Sequence, residues 1–154
     1  MASYAYSFLD IVAAIKGPNG SFSLGNGAGV ADEGITITMT DDKNTMIPGA
    51  DGQVMHSLHA AKTGTVTLRL LKTSPTNALL QDMYAADTSS SAVHGQNTIV
   101  VRDPSRGDVL SCQGCAFKKF PDMSYAKDGN IVEWMWDAAV VDQLLGTGTP
   151  AAVF

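Results

Sequence analysis

Apolar and polar residues alternate along several short segments of this chain. Residues 35–40 (ITITMT) and residues 65–70 (TVTLRL) show the pattern most clearly, and residues 97–103 (NTIVVRD) follow it. A period of two is typical of a β-strand that buries one face and exposes the other. The alternation therefore predicts at least three strands, each with an apolar side turned towards a core.

The last predicted strand spans residues 131–140 and carries both tryptophans. Val132, Trp134 and Trp136 share one face of it, opposite Glu133. Large rings at alternate positions either pack in a core or form an exposed platform for a carbohydrate, and the apolar neighbour in register favours the core. The predicted core comprises Val66, Leu68, Leu70, Leu79, Leu80, Met83, Trp134 and Trp136.

Turn-forming residues connect the predicted strands. Residues 104–108 (PSRGD) follow residues 97–103 and precede a returning strand, and residues 17–20 (GPNG) join two earlier apolar segments. Glycine allows left-handed backbone and proline presets φ, so both segments favour tight turns. We predict a hairpin at each.

One segment has the pattern of a helix, from about residue 74 to residue 86. Ser74 fits the N-cap position, and Pro75 fits the first turn, where its missing N–H costs nothing. Apolar residues follow at helical spacing until the polar tract at residues 87–91. The chain is therefore expected to be mainly β, a sandwich or barrel with one flanking helix.

The segment from about residue 41 to residue 62 shows neither period. It contains Pro48, Gly49 and Gly52, together with apolar residues and two histidines. More than about 15 residues without regular structure are uncommon inside a compact domain and are usually functional. We expect a long irregular loop here that contacts another subunit.

The composition indicates a single small domain with few surface charges. The chain has 154 residues, 45% hydrophobic and only 16% charged, with a net charge of −5. Soluble domains average roughly 25% charged residues, and the acidic balance excludes a basic footprint for nucleic acid. All but two of the fifteen acidic residues are aspartate, which favours turns over helices. We expect one domain over residues 1–154 whose surface is covered largely by neighbouring subunits.

The side chains capable of chemistry form no catalytic or ligand-binding constellation. Cys112 and Cys115 make a single CxxC in a strand-like segment, where two buried thiols are the simpler interpretation and a reversible disulfide the alternative. An enzyme using either thiol would require a lowered pKa. His56 and His59 fall short of the three or four ligands that zinc needs, and the glycines between residues 25 and 34 lack dinucleotide-loop spacing. We predict no catalytic residue, no metal site and no cofactor.

A resemblance to a known family is carried by residues 49–58 (GADGQVMHSL) and residues 63–77 (TGTVTLRLLKTSPTN). Both resemble the tail tube proteins of contractile-tailed bacteriophages. The most specific piece is the strand that ends in RLLKTSPTN and runs into a short helix.

Shorter familial segments lie elsewhere in the chain, at residues 6–10 (YSFLD), residues 117–121 (FKKFP) and residues 125–130 (YAKDGN). The resemblance covers residues 4 to about 142. The resemblance does not extend to residues 143–154, which we treat as a C-terminal extension whose position in the fold the sequence does not predict.

The resemblance implies a tail-tube-like β-sandwich or barrel with one flanking helix. It also implies hexameric rings that stack into a hollow tube through which DNA is delivered to the host. Tail sheath, tail terminator and baseplate proteins would be the other partners, in a virion assembled in the bacterial cytoplasm. A type VI-like secretion tube subunit shares this architecture and is one alternative. A monomeric carbohydrate-binding module built on Trp134 and Trp136 is another.

Two sets of residues are assigned to surfaces under this resemblance. A hydroxyl-rich wall without net positive charge would let a polyanion slide, and Arg69 departs from it unless a neighbouring subunit's carboxylate pairs with it. The candidate lumen face comprises Thr36, Thr38, Thr40, Thr65 and Thr67. The candidate inter-subunit or inter-ring contacts are Tyr4, Tyr6, Asp41, Asp42, Met46, Ile47, Val54, Met55 and His56.

Overall fold

The protein folds mainly as antiparallel β-strands. The computed structural model describes residues 5–25 and 30–147, so Tyr4 and residues 148–154 of the C-terminal extension lie outside the described residues. After a short 3₁₀ turn at Phe8–Asp10, the elements in chain order are β1 (Val12–Gly17), β2 (Gly20–Ser23), β3 (Val30–Met39), β4 (Asn44–Pro48), β5 (Val54–Leu58), β6 (Gly64–Leu71), α1 (Thr76–Asp87), β7 (Asn97–Asp103), β8 (Asp108–Lys119), β9 (Ile131–Ala138) and β10 (Val140–Leu144).

Eight of these strands form one sheet in the order β2-β1-β7-β8-β9-β6-β3, with β10 beside β8. The long strand β8 joins two halves, because its first part pairs with β7 and β10 while its last residues pair with β9. The pairing of β7 with β8 shifts register close to Gly114, whose φ is +64°. A bulge of this kind bends a strand. We call β2, β1, β7, β10 and the start of β8 the first half-sheet, and β9, β6, β3 and the end of β8 the second.

The hydrophobic core draws on the inner faces of both half-sheets. Ile15 and Ile99 come from the first half-sheet, and Leu68, Trp134 and Trp136 come from the second. Each strand presents alternate residues inward, which is why the period-two pattern located them. The predicted mainly β fold with one flanking helix is confirmed. Of the predicted core residues, the structure buries Val66, Leu68, Leu70, Leu80, Met83, Trp134 and Trp136.

The helix α1 begins at Thr76, two residues later than predicted. Pro75 occupies the N-cap position, and the Ser74 hydroxyl accepts a hydrogen bond from the Thr76 N–H at 3.3 Å. Leu79 is 49% exposed, so its assignment to the core was wrong. The physical reason is that it lies about 100° around the helix from Leu80, which faces the sheet. The helix α1 buries Thr76, Leu80, Met83 and Asp87.

Among the described residues, no helix has the length and apolar character needed to cross a bilayer.

The prediction of an irregular loop at residues 41–62 was wrong, because β4 and β5 form a separate two-stranded sheet there. The two strands pair antiparallel, with Ile47 opposite Met55, and residues 49–52 make the turn between them. The apolar residues of this hairpin occupy both faces, so neighbouring positions such as Met46 and Ile47 are both apolar. A pattern search for one buried face therefore does not detect these strands.

Candidate functional site

The hairpin formed by β4 and β5, residues 44–58, exposes five large apolar side chains, and we call it the arm. None of its side chains is buried. A two-stranded hairpin by itself is only marginally stable in water, and a large exposed apolar surface marks an interaction site. The arm is therefore a candidate contact surface for another molecule. The exposed fractions are 50–57% for Met46, Ile47, Val54 and Met55 and 87% for Leu58.

Both faces of the arm are apolar. Residues directly opposite each other in an antiparallel pair point to the same face. Ile47 and Met55 therefore share one face. Met46 and Val54 lie on the other, because Val54 is opposite Pro48, two residues from Met46. An element that rested on a single surface would need only one apolar face, so both faces of the arm are candidate contact surfaces.

Hydrogen bonds hold the base of the arm. Asn44 Nδ2 lies 3.1 Å from His56 Nδ1, and Thr45 Oγ1 lies 2.8 Å from His59 Nε2. The two histidines thus contact opposite faces of the arm and do not converge. Residues 41–42, which were also predicted to make contacts, are exposed just before it. Within the described part of the chain, no group of three or more His, Cys, Asp or Glu side chains is placed to hold a metal ion.

Threonines lie on the outer face of the second half-sheet. Thr36 is opposite Thr67 and Thr38 is opposite Thr65 across β3 and β6, so the four share one face. Thr36, Thr38 and Thr40 are exposed and Thr65 is half-buried. Thr67 is only 8% exposed because β6 lies between β3 and β9. The open part of this face therefore consists of these threonines together with the exposed charged residues Glu133, Asp137 and Lys119, which strand pairing places on the same side.

Arg69 interrupts the threonine face, and its charge is compensated within the same chain. Its Nε lies 3.3 Å from Glu133 Oε2, and its Nη1 donates to Thr36 Oγ1 at 3.1 Å. Glu133 is directly opposite Arg69 across β6 and β9. No neighbouring subunit is needed to supply the carboxylate. A second pair, Lys118 with Asp137 at 3.9 Å, lies close by in β8 and β9.

A buried ion-pair cluster ties the N-terminal segment to the turn between β7 and β8. Arg106 Nη1 lies 2.9 Å from Asp103 Oδ2 and 3.2 Å from Asp10 Oδ2. Its Nη2 donates to the carbonyl of Ala5, and the ring of the exposed Tyr6 lies 5.0 Å from the guanidinium carbon. The sequence predicted only a hairpin turn at residues 104–108 and did not reveal this cluster. Contacts between residues so far apart in sequence leave no local pattern that would reveal them.

Beside this turn, four side chains form a row across four strands of the first half-sheet. Val12 is opposite Arg102, Arg102 is opposite Val109, and Val109 is opposite Leu144. Opposite residues share a face, and all four are exposed on it. We call these four residues the terminal row. Local alternation does not reveal it, because the row runs across strands and not along one.

The thiols and indoles are in the core. Cys112 and Cys115 are free and buried, and burial raises the pKa of the Cys112 thiol to about 11 and that of Cys115 to about 12. A nucleophilic cysteine needs the opposite shift. Trp136 has no exposed surface, and the buried Trp134 donates its indole N–H to Asn77 Oδ1 at 3.1 Å. A carbohydrate platform requires an exposed ring face, which neither indole provides.

Several solved structures share this fold. A chain of the sheath-tube complex of an extracellular contractile injection system (PVC) in the extended state has a TM-score of 0.56 and 11% identity, covering 92% of this chain and 93% of that one. The tube-terminating cap of the anti-feeding prophage has a TM-score of 0.54 and 9% identity, covering 95% of each chain. The PVC sheath/tube terminator has a TM-score of 0.51 and 13% identity, covering 94% of this chain and 99% of that one. At these identities the likeness concerns the fold.

The sequence itself also matches a protein family. No curated protein matches it significantly. The family described as the bacteriophage PhiTE tail tube protein matches residues 1–146, a span that includes the arm, the threonine face and all four residues of the terminal row. The chain therefore belongs to the bacteriophage PhiTE tail tube protein family.

Proposed function

We propose that this tail tube protein forms hexameric rings that stack into a tube through which DNA is delivered to the host. The observation that carries the proposal is the arm, residues 44–58, which is apolar on both faces and belongs to no other sheet of its own chain. Such an element is stabilised when other copies of the chain cover it. Of the predicted contact residues, Met46, Ile47, Val54, Met55 and His56 all lie on the arm.

Ring formation is supported by the strand edges. β2 and β3 end the sheet, and β10 lies off its main path. Exposed edge strands are a liability for a monomer and a ready pairing surface in a ring. A head-to-tail contact closes into a ring when its rotation divides the circle. The charge fraction of only 16% agrees with a chain whose surface is covered mainly by its neighbours.

The threonine face of the second half-sheet is proposed to line the lumen. DNA carries about one negative charge per 1.7 Å of helix axis, so a wall of free cations would bind it tightly by counterion release. Thr36, Thr38 and Thr40 are exposed and uncharged, and Arg69 is paired with Glu133. Such a wall gives DNA no continuous set of cations to bind, so DNA passes without sequence-specific contact.

Tail sheath, terminator and baseplate proteins are proposed as the further partners, in a virion assembled in the bacterial cytoplasm. The solved structures of similar fold are described as parts of a sheath-tube complex, a tube-terminating cap, a sheath/tube terminator and a baseplate. A type VI-like secretion tube subunit is the alternative. The family match to a phage tail tube protein favours the virion.

Electron microscopy of the purified protein, combined with light scattering across a concentration series, tests the proposal. Six-fold rings or hollow tubes that form as concentration rises are the expected result. Monomers at every concentration, together with absence of the protein from purified virions, would overturn it.

A further inference from the structure

The terminal row has an unpaired charge in its middle. Arg102 is exposed, and none of the ion pairs among the side chains of residues 5–25 and 34–147 involves it. Val12 and Val109 flank it, and Leu144 extends the row beyond Val109. An apolar strip with a single cation is complementary to an apolar partner that carries a single carboxylate.

The arm has this complementary character. Residues 44–58 contain no Lys or Arg and a single carboxylate, Asp51, in the exposed turn at the tip. Asp51 Oδ1 accepts a hydrogen bond from the Gln53 N–H at 3.1 Å, which orients the carboxylate. Gly52, with φ of +87°, allows the turn to close there. The arm thus presents apolar strands that lead to one negative charge.

The arm is long enough to reach across the row. A strand of five residues is about 17 Å long, since each residue advances the chain by about 3.4 Å. From Leu144 across Val109 to Arg102 is two inter-strand spacings, or about 10 Å. An arm laid across the row from the Leu144 side therefore reaches Arg102 with its tip.

We propose that the arm of one copy of the chain binds to the terminal row of another copy, with Asp51 beside Arg102 and the apolar strands over Val109 and Leu144. This rests on the proposed function, which requires contacts between copies, and it names the surface that receives the arm. Because the two surfaces differ, the contact is heterologous. A heterologous contact closes into a ring when its rotation divides the circle and otherwise repeats along an axis, so it suits contacts within a ring or between stacked rings.

A second exposed apolar surface is the rival receiver. It is a groove of about 440 Å³ between α1 and the segment that follows β8, and its lining includes Gln81, Phe120 and Tyr125. The cation at this groove, Lys72, already lies 4.3 Å from the Tyr125 ring centroid. Its charge therefore has a partner within the chain, whereas the charge of Arg102 has no carboxylate among the described residues.

Cross-linking in assembled tubes locates the contact. Leu144→Cys is combined with Met46→Cys or with Met55→Cys, which places one thiol on each face of the arm in turn. The native cysteines are buried, so the introduced thiols are the ones that react. Under mild oxidation, one of the two pairs is expected to give a ladder of disulfide-linked multimers on a non-reducing gel. Gln81→Cys, in the rival groove, is the matched control and is expected to give no ladder with either arm position.

Charge reversal tests the Asp51–Arg102 contact independently. Asp51→Arg or Arg102→Asp alone places like charges together and is expected to raise the critical concentration for assembly about tenfold. The double variant restores the opposite pairing and is expected to assemble within about threefold of the wild type. Both residues are exposed, so circular dichroism should show an unchanged fold in each variant.

The outcomes separate this inference from the function on which it rests. A ladder from the Gln81 pairs, or wild-type-like tubes in which neither Leu144 pair cross-links, refutes the terminal row as the receiving surface and leaves tube formation intact. A double charge variant that assembles no better than the single variants refutes the Asp51–Arg102 contact. A wild-type chain that stays monomeric at every concentration and is absent from purified virions refutes both the function and the inference.

Discussion

Arg69 and Glu133 lie directly opposite each other on β6 and β9, with 3.3 Å between Arg69 Nε and Glu133 Oε2. The guanidinium also donates to the Thr36 hydroxyl, so it is held on the threonine face. The pair is partly exposed, and an ion pair of this kind contributes at most about 1 kcal/mol to stability. Its main effect is electrostatic, because it removes a free cation from the face proposed to line the lumen.

Glu133→Gln should therefore make assembled tubes bind DNA more tightly. The substitution keeps the shape of the side chain and frees the Arg69 charge for phosphate. Each new phosphate contact steepens the fall of log K with log[salt] by about 0.9 for duplex DNA. Binding of short duplexes to tubes across a salt series measures this slope.

Asp142→Asn is the matched control for Glu133→Gln. It removes a carboxylate whose partner, Lys62 at 3.7 Å, lies outside β3, β6 and β9, the strands that carry the threonine face. This variant should leave the salt dependence of DNA binding unchanged. If both variants steepen the slope equally, the threonine face does not line the lumen.

Deleting residues 44–58 should abolish tube formation while leaving the fold intact. The arm contributes no buried residue to the core, so the unfolding temperature of the isolated subunit should stay close to that of the wild type. Light scattering and electron microscopy measure assembly, and circular dichroism measures the fold. Normal tubes from this deletion would show that the arm makes no assembly contact.

Met55→Asp is the point-substitution version of that experiment. A charge placed in a buried apolar contact should raise the critical concentration for assembly at least tenfold. Met123→Asp is the matched control, because Met123 is 50% exposed against 57% for Met55 but lies outside the arm. Equal loss of assembly in both variants would point to a general effect of surface charge.

Arg106→Met should destabilise the isolated subunit. The substitution leaves the carboxylate of Asp103 buried without its cation, and removing one partner of a buried ion pair is destabilising. Chemical denaturation with a circular dichroism readout measures the loss. Arg102→Met, at an exposed arginine in the same region, should change the free energy of unfolding by no more than about 0.5 kcal/mol.

Cys112 and Cys115 should resist thiol reagents at neutral pH. Burial raises the pKa of these thiols to about 11 and about 12 from an ordinary value of 9.0, so the folded protein holds them neutral. Unfolding above pH 9 releases their protons, so their contribution to stability is present below pH 9 and falls as pH rises towards 11–12. Labelling with and without denaturant, and unfolding curves from pH 8 to pH 11, measure the two effects. Rapid labelling of the native protein at pH 7 would contradict this.

Local patterns identified the strands that bury one face. Val66 and Leu68, and likewise Trp134 and Trp136, were placed correctly because alternation follows directly from the geometry of a pleated strand against a core. Leu79 was misplaced because helical spacing leaves the width of the buried face undetermined. The arm was missed as structure because it has no core-facing side to produce alternation.

The sequence by itself determined the β-rich composition, the short helix, most of the core and, through the segment around RLLKTSPTN, the family resemblance. The helix and the core follow from periodicity and from turn and cap preferences, which act over a few residues. Only the tertiary structure decided that Arg69 meets Glu133, that Arg106 gathers Asp103 and Asp10, and that Val12, Arg102, Val109 and Leu144 form one row. Such contacts join residues far apart in the chain, and strand order and register, which set them, arise from packing of the whole core.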